Sequence, residues 1–246
     1  MRPASLAGLP RALRTPSGKD VPLVLRTHAR ARRISLRVDP ATGSAVLTAP
    51  SARQFPQAVA FAAERLVWID TQLARLPEDR PLAPGSVIPV RGVPTVIAAR
   101  PAKRGVWLEP GPPATLAVGI PATQAENPPP VAARITAFLK EQARADMAAS
   151  VAHHAAKLGV QIGGITLKDT RSRWGSCTAQ GQLSLSWRLI FAPPHVLDYV
   201  CAHEVAHRLE MNHSPRFWAE VGRTFPAYAP ARAWLKANGA RLHAIG

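Results

Sequence analysis

Apolar residues in the first half of the chain fall in short runs separated by turn-forming residues. The segments 21–26, 34–39 and 45–49 alternate or run apolar and predict three strands. The period then changes. Over residues 55–76, Val59, Ala62, Ala63, Leu66, Trp68, Ile69 and Leu73 recur at helical spacing, which predicts one helix ending near Pro77, with Trp68 as a core anchor. Four more short strands, 87–90, 95–99, 106–108 and 116–118, are separated by Gly and Pro. No catalytic constellation occurs among them, so residues 1–120 read as a β-rich accessory region. Pro121 and Asn127-Pro128-Pro129-Pro130 make 121–130 a Pro-rich linker. Beyond it, Ile135, Phe138, Leu139, Ala143, Met147 and Val151 describe a long helix over 131–158, with Gly159 in the C′ position. Strands at 165–169 and 183–190 follow, the second leading through Pro193-Pro194 into another helix. The expected class is α+β, with 131–246 as the catalytic domain.

That last helix carries the chemistry. Cys201-Ala202-His203-Glu204-Val205-Ala206-His207 contains His-Glu-x-x-His, a pattern that suits zinc held by two histidines with a glutamate to activate water. Four helical residues advance about 6 Å and turn about 40° beyond one revolution, so both imidazoles share a face. Glu204 lies roughly 100° around from His203, beside a metal on that face, where a general base belongs. With eight His and eight Glu in 246 residues, about 0.008 such matches are expected by accident.

Catalytic zinc usually has three protein ligands and one open position. His213 is the candidate third ligand. On an unbroken helix it would point about 80° away from His203 and lie about 15 Å along the axis, so the helix must stop first. Asn212 is the expected stopping residue, and Ser214-Pro215 reads as the N-cap and first position of the next helix. Glu210 competes, being nearly eclipsed with His203, but sits about 10 Å away along the axis. His28, His153, His154, His195 and His243 read as surface residues. Cys177 and Cys201 form neither a Cys-x-x-Cys pair nor a disulfide framework and read as packing residues.

Several segments together resemble a known family. Arg171-Ser172-Arg173-Trp174-Gly175-Ser176-Cys177, Leu189-Ile190-Phe191-Ala192-Pro193-Pro194, Leu197-Asp198-Tyr199-Val200, the His203 to His207 motif and Met211-Asn212-His213-Ser214-Pro215-Arg216-Phe217-Trp218 are similar to the YgjP-type metallopeptidases, a bacterial and archaeal group related to the SprT and WLM zinc peptidases. The resemblance covers about residues 130–240, with His195 a departure where relatives often carry an acidic or other polar residue. It implies a zincin-like fold with the active-site helix packed on a small sheet, Zn2+ bound by His203, His207 and His213, and Glu204 as the catalytic residue. It also implies that a strand near the metal helix receives an extended peptide, which makes Gln182, Leu183, Ser184, Leu185, Ser186, Trp187 and Arg188 candidates for substrate binding. Arg173 is a candidate contact to a substrate carbonyl or developing oxyanion. The expected function is zinc-dependent hydrolysis of peptide or protein substrates.

Composition adds a second hypothesis. The chain is 47% hydrophobic and 19% charged, which suits one large or two small domains. No apolar run is long enough to cross a bilayer. The first thirty residues, broken by Pro10, Pro16, Gly18 and several arginines, lack a signal-peptide h-region, so the expected compartment is the cytoplasm. A formal net charge of +16 favours phosphate backbones and acidic partners, and the richest basic run is 26–37. The alternative function is therefore a basic nucleic-acid-associated protein, with structural zinc or DNA-linked proteolysis. Against it, no helix-turn-helix or zinc-finger spacing is present.

Overall fold

The computed structural model describes residues 8–39, 42–74, 80–101, 105–124 and 130–246. The predicted helix end at Pro77 and the break at Asn127-Pro128-Pro129 lie outside these residues. The chain is α+β and divides into two compact units, Met1–Glu78 and Asp79–Gly246.

In the first unit, strands β1 (Ala12–Arg14), β2 (Asp20–Thr27), β3 (Ser35–Val38) and β4 (Ala45–Ala49) form one sheet in the order β1-β2-β4-β3. The central pair β2–β4 is parallel and both outer pairs are antiparallel. Alternation along the strands sends Val21, Leu23 and Leu25 of β2 and Ala45 and Leu47 of β4 into the core. Helices α1 (Phe55–Ala63) and α2 (Leu66–Ala74) supply Ala58, Val59, Ala62 and Ile69 to it. The single helix predicted over 55–76 is thus two, parted at Glu64-Arg65. Trp68 is 43% exposed, so Ile69 takes the core position expected of it.

The second unit begins with β5 (Val87–Val90), β6 (Val93–Pro101), β7 (Gly105–Glu109) and β8 (Ala114–Ile120), in the order β5-β6-β8-β7. Against the expectation that residues up to 120 stand apart from the catalytic region, Ile88, Ile97, Leu116 and Val118 belong to the same core as the C-terminal helices. The division of the chain accordingly falls at Glu78–Asp79 and not at 121–130. Hydrophobic burial explains the difference: the one long helix α3 (Ala132–Leu158) places Ile135, Leu139 and Met147 in that core, fully buried. Gly159 ends α3 with a left-handed φ of 69°, as its C′ position demands.

A three-stranded sheet follows, made of β9 (Gly164–Lys168), β10 (Gly175–Cys177) and β11 (Gln182–Ser186) in the order β10-β11-β9. The strand predicted over 183–190 stops at Ser186, because Trp187–Phe191 tightens into a buried 3-10 turn. Helices α4 (Pro194–Ala206), α5 (Pro215–Thr224) and α6 (Tyr228–His243) complete the unit. Among the described residues no helix is long and apolar enough to cross a membrane.

Candidate metal centre

Helix α4 carries His203 and Glu204 in its last turn and ends at Ala206, six residues before Asn212. His207 is its C-cap residue, and the amides of Arg208, Leu209 and Glu210 turn back to the carbonyls of Val205 and Ala206. This early stop removes Glu210 from the helical face it would share with His203. Instead the Glu210 carbonyl accepts a hydrogen bond from His207 Nδ1 at 3.0 Å, which leaves Nε2 of that ring as the free lone pair. Ser214 caps α5 as expected, its hydroxyl accepting from the amide of Phe217 at 3.3 Å.

The turn between the helices brings His213 back to the motif. One nitrogen each from His203, His207 and His213 lies within 4.8 Å of the others, a group able to hold a metal ion. The three ring centroids stand 4.9–5.0 Å apart, almost an equilateral triangle. Phe217, fully buried at the start of α5, lies 4.5–4.8 Å from all three rings and forms their common floor.

The nitrogens fit a cation. His213 Nε2 and His203 Nε2 are 3.0 Å apart, two imidazole nitrogens that converge on one point. Burial, and then its histidine neighbours, push His203 down to about 3; burial also lowers His207. Neutral imidazoles are the form that binds metal. Glu204 is 5% exposed, and its Oε2 has no hydrogen-bond partner. Desolvation lifts its carboxyl to about 8, with the Arg173 charge opposing.

Gly175 has a role that sequence reasoning missed. A Cβ there would lie 2.6 Å from both Cγ and Cδ of Glu204, so only a glycine lets β10 pass so close to the carboxylate. Glu204 is thereby confined between its own helix and the backbone of β10. The centre opens into a cleft of about 420 Å³, whose walls include Trp174, Tyr199, Val200, Met211 and Leu235 besides the site residues. Arg173 is exposed and lines the same cleft.

The strand expected to receive substrate is placed otherwise. β11 is the central strand: Leu183, Ser184 and Leu185 pair with Cys177, Ser176 and Gly175 on one side and with Ile165, Thr166 and Leu167 on the other. Both edges of Gln182, Leu183, Ser184, Leu185 and Ser186 are therefore occupied, and no peptide can add there. Trp187 and Arg188 are buried in the 3-10 turn. Arg188 donates to Asp169 Oδ1 and Oδ2 at 2.6 and 3.2 Å and to backbone carbonyls of the C-terminal segment. Two strands of this sheet have an unpaired outer edge, β9 and β10, and of these only β10 lines the cleft. Ser186 N donates to Trp174 O and Thr178 N to Gln182 O, so by antiparallel alternation the main-chain groups of Gly175 and Cys177 point outward.

Two histidines read as surface residues are not. His154 is 1% exposed and bridges Thr224 Oγ1 at 2.7 Å and Asp198 Oδ1 at 3.0 Å. His243 is half-buried and stacks on Trp174 at 4.5 Å. Both cysteines are free, and burial raises both thiols, Cys201 to about 12, so neither supplies a thiolate nucleophile.

Three convergent imidazoles with a buried glutamate between two of them on one helix are the constellation of a metallopeptidase. The chain belongs to the YgjP-like metallopeptidase family, whose domain it matches over residues 32–238. That match extends well before residue 130 and takes in β3 and β4 of the first sheet. Among solved structures, the metallopeptidase zymogen abylysin of Pyrococcus abyssi is 20% identical, covering 38% of this chain and 92% of that one with a TM-score of 0.34. Comparison with curated proteins finds no match.

Proposed function

We propose that this protein hydrolyses peptide bonds with zinc held by His203, His207 and His213 and with Glu204 as general base. The observation that carries the reading is the set of three histidine nitrogens within 4.8 Å of one another beside the unpartnered Glu204 carboxylate. All-imidazole coordination suits Zn2+, and three ligands leave a position open for reaction. When bound, the ion supplies Lewis-acid polarisation of the scissile carbonyl and acidifies water to a pKa of about 7.

The chain's own groups do the rest. Glu204 removes the proton of the attacking water and returns it to the leaving amine, a transfer that suits a carboxyl whose pKa burial has raised towards neutrality. Phe217 keeps the three imidazoles together, and Gly175 keeps Glu204 beside them. An extended substrate backbone adds to the outer edge of β10, where Gly175 and Cys177 offer main-chain donors and acceptors at the mouth of the cleft. Arg173, lining the same cleft, is a donor to a substrate carbonyl.

Elemental analysis of protein prepared without a His-tag tests the centre: the expected result is close to one zinc per chain, abolished by His213→Ala. Zinc content unchanged in His213→Ala would overturn the ligand set. A zinc-loaded protein that cleaves no member of a diverse peptide library would overturn the reaction.

A further inference from the structure

The first unit carries a surface that the metal centre does not use. Its 78 residues contain twelve basic and only five acidic side chains, and eleven of the twelve are arginine. Five of these, Arg26, Arg30, Arg32, Arg33 and Arg37, lie in a stretch without one acidic residue, and all five are exposed. Only Arg37 among them forms an ion pair with another described residue, reaching Asp39 at 4.0 Å. The stretch leads into and along β3, an edge strand of its sheet. Helix α2 packs against that strand.

At this junction Leu36 of β3, Phe61 of α1, Arg65 just before α2 and Trp68 in the first turn of α2 line a recess of about 330 Å³. The Arg65 guanidinium lies 3.7 Å over the Phe61 ring, tied to the Phe61 carbonyl and to Glu64. Trp68 is the one exposed tryptophan of the chain's six. Arg65 covers the Phe61 ring, and the partly exposed indole of Trp68 shares the recess, an aromatic and cationic surface on which a base can stack. Arg32 and Arg33 lie just before the neighbouring strand, on which Leu36 faces the recess and Arg37, by alternation, the opposite side.

We propose that the Met1–Glu78 unit binds single-stranded nucleic acid, with a base stacked in the Phe61–Trp68 recess and phosphates on Arg32 and Arg33. Arginine is the fitting cation, because its planar fork pairs bidentately with phosphate and stacks on bases, which lysine cannot do. Aromatic platforms beside a basic track are the means by which proteins hold single strands without reading sequence. A duplex would offer the phosphates but hide its base faces. An anionic bilayer would use the arginines but has no planar ring for the recess, and an acidic protein surface would likewise leave Trp68 unfilled.

The test uses the full chain, a fluorescein-labelled oligothymidylate and anisotropy titrations across a salt series, with the same strand in duplex form and phosphatidylglycerol vesicles as competitors. Trp68→Leu is expected to weaken single-strand binding roughly tenfold with the salt slope unchanged, and Trp68→Phe to restore most of the loss. Replacing Arg32 and Arg33 together by Gln should reduce the slope of log K against log salt by about 1.4. Zinc content and peptide hydrolysis should be unaffected in every variant, so this proposal and the peptidase reading fail independently. Equal affinity of wild type and Trp68→Leu, equal binding of duplex and single strand, an unchanged salt slope in the double variant, or vesicles that displace the oligonucleotide would each overturn the proposal.

Discussion

The two four-stranded sheets follow one plan. In each, the strand order is first-second-fourth-third, with a parallel central pair flanked by antiparallel pairs. Their interiors differ. Behind β1–β4, two nine-residue helices close a core in which Ala45, Ala58 and Ala62 hold three of seven buried places. Behind β5–β8, the 27-residue α3 brings Ile135, Leu139 and Met147, and the core continues into Val205 and Phe217 at the metal centre. One topology thus serves as a small basic unit in the first case and as part of the catalytic scaffold in the second. What distinguishes them is the helix that follows the fourth strand and how much apolar surface it removes from water. Charge follows the same division: twelve basic and five acidic residues in the first 78, against nineteen and ten in the remaining 168.

Glu204→Gln should separate the two regions most sharply. It should lower kcat about a thousandfold, because a general base contributes roughly 10²–10⁴, while leaving zinc and oligonucleotide binding intact. Steady-state kinetics beside metal analysis reads this, and retained turnover would remove Glu204 from the mechanism. In core packing, Leu139→Ala should cost the second unit about 2–5 kcal/mol, whereas Ile69→Val should cost the first about 0.5–1.5 kcal/mol. Urea unfolding followed by hydrogen exchange, which reports each unit separately, checks both values. Gly175→Ala should reduce activity about a hundredfold by displacing Glu204, with stability and zinc affinity changed far less.

A smaller effect comes from pH in the metal-free protein. Glu204 is lifted from 4.5 to about 8 when folded, so its contribution to stability is complete below about 4.5 and is lost as pH rises through about 8. The lowered pKa values of His203 and His207 act in the opposite sense, but their contributions are complete above their unfolded value of 6.5. Between about 6.5 and 8 the carboxyl dominates. Melting temperatures of EDTA-treated protein should fall across that window, and those of Glu204→Gln should not; a flat profile in the wild type would mean that the carboxyl is already ionised when folded.

Much of the centre was legible in the chain because it is local. His203, Glu204 and His207 lie within one helical turn of one another, and Ser214-Pro215 marks the start of the next helix by capping chemistry alone. What could not be read was contact between distant segments. Gly175 beside Glu204, Phe217 beneath three imidazoles and His154 between Thr224 and Asp198 join residues 29 to 70 apart or separate elements. Central and edge strands also look alike in sequence, which is why Gln182–Ser186 was expected to receive a peptide while β10, only three residues long, holds the edge that lines the cleft.

Trp68 shows the same limit from the other side. Its spacing is that of a core residue, and periodicity places it one position from Ile69, which is fully buried. The helix parts at Glu64-Arg65, and in its second half Ile69 faces the core while the indole turns outward. Element types, the motif and its helix-to-helix turn follow from dihedral preferences, caps and spacing, all of which act over a few residues. Strand order, the boundary between the two units, the floor beneath the histidines and the exposure of Trp68 follow from which apolar surfaces meet, and that is settled only when segments far apart in the chain pack together.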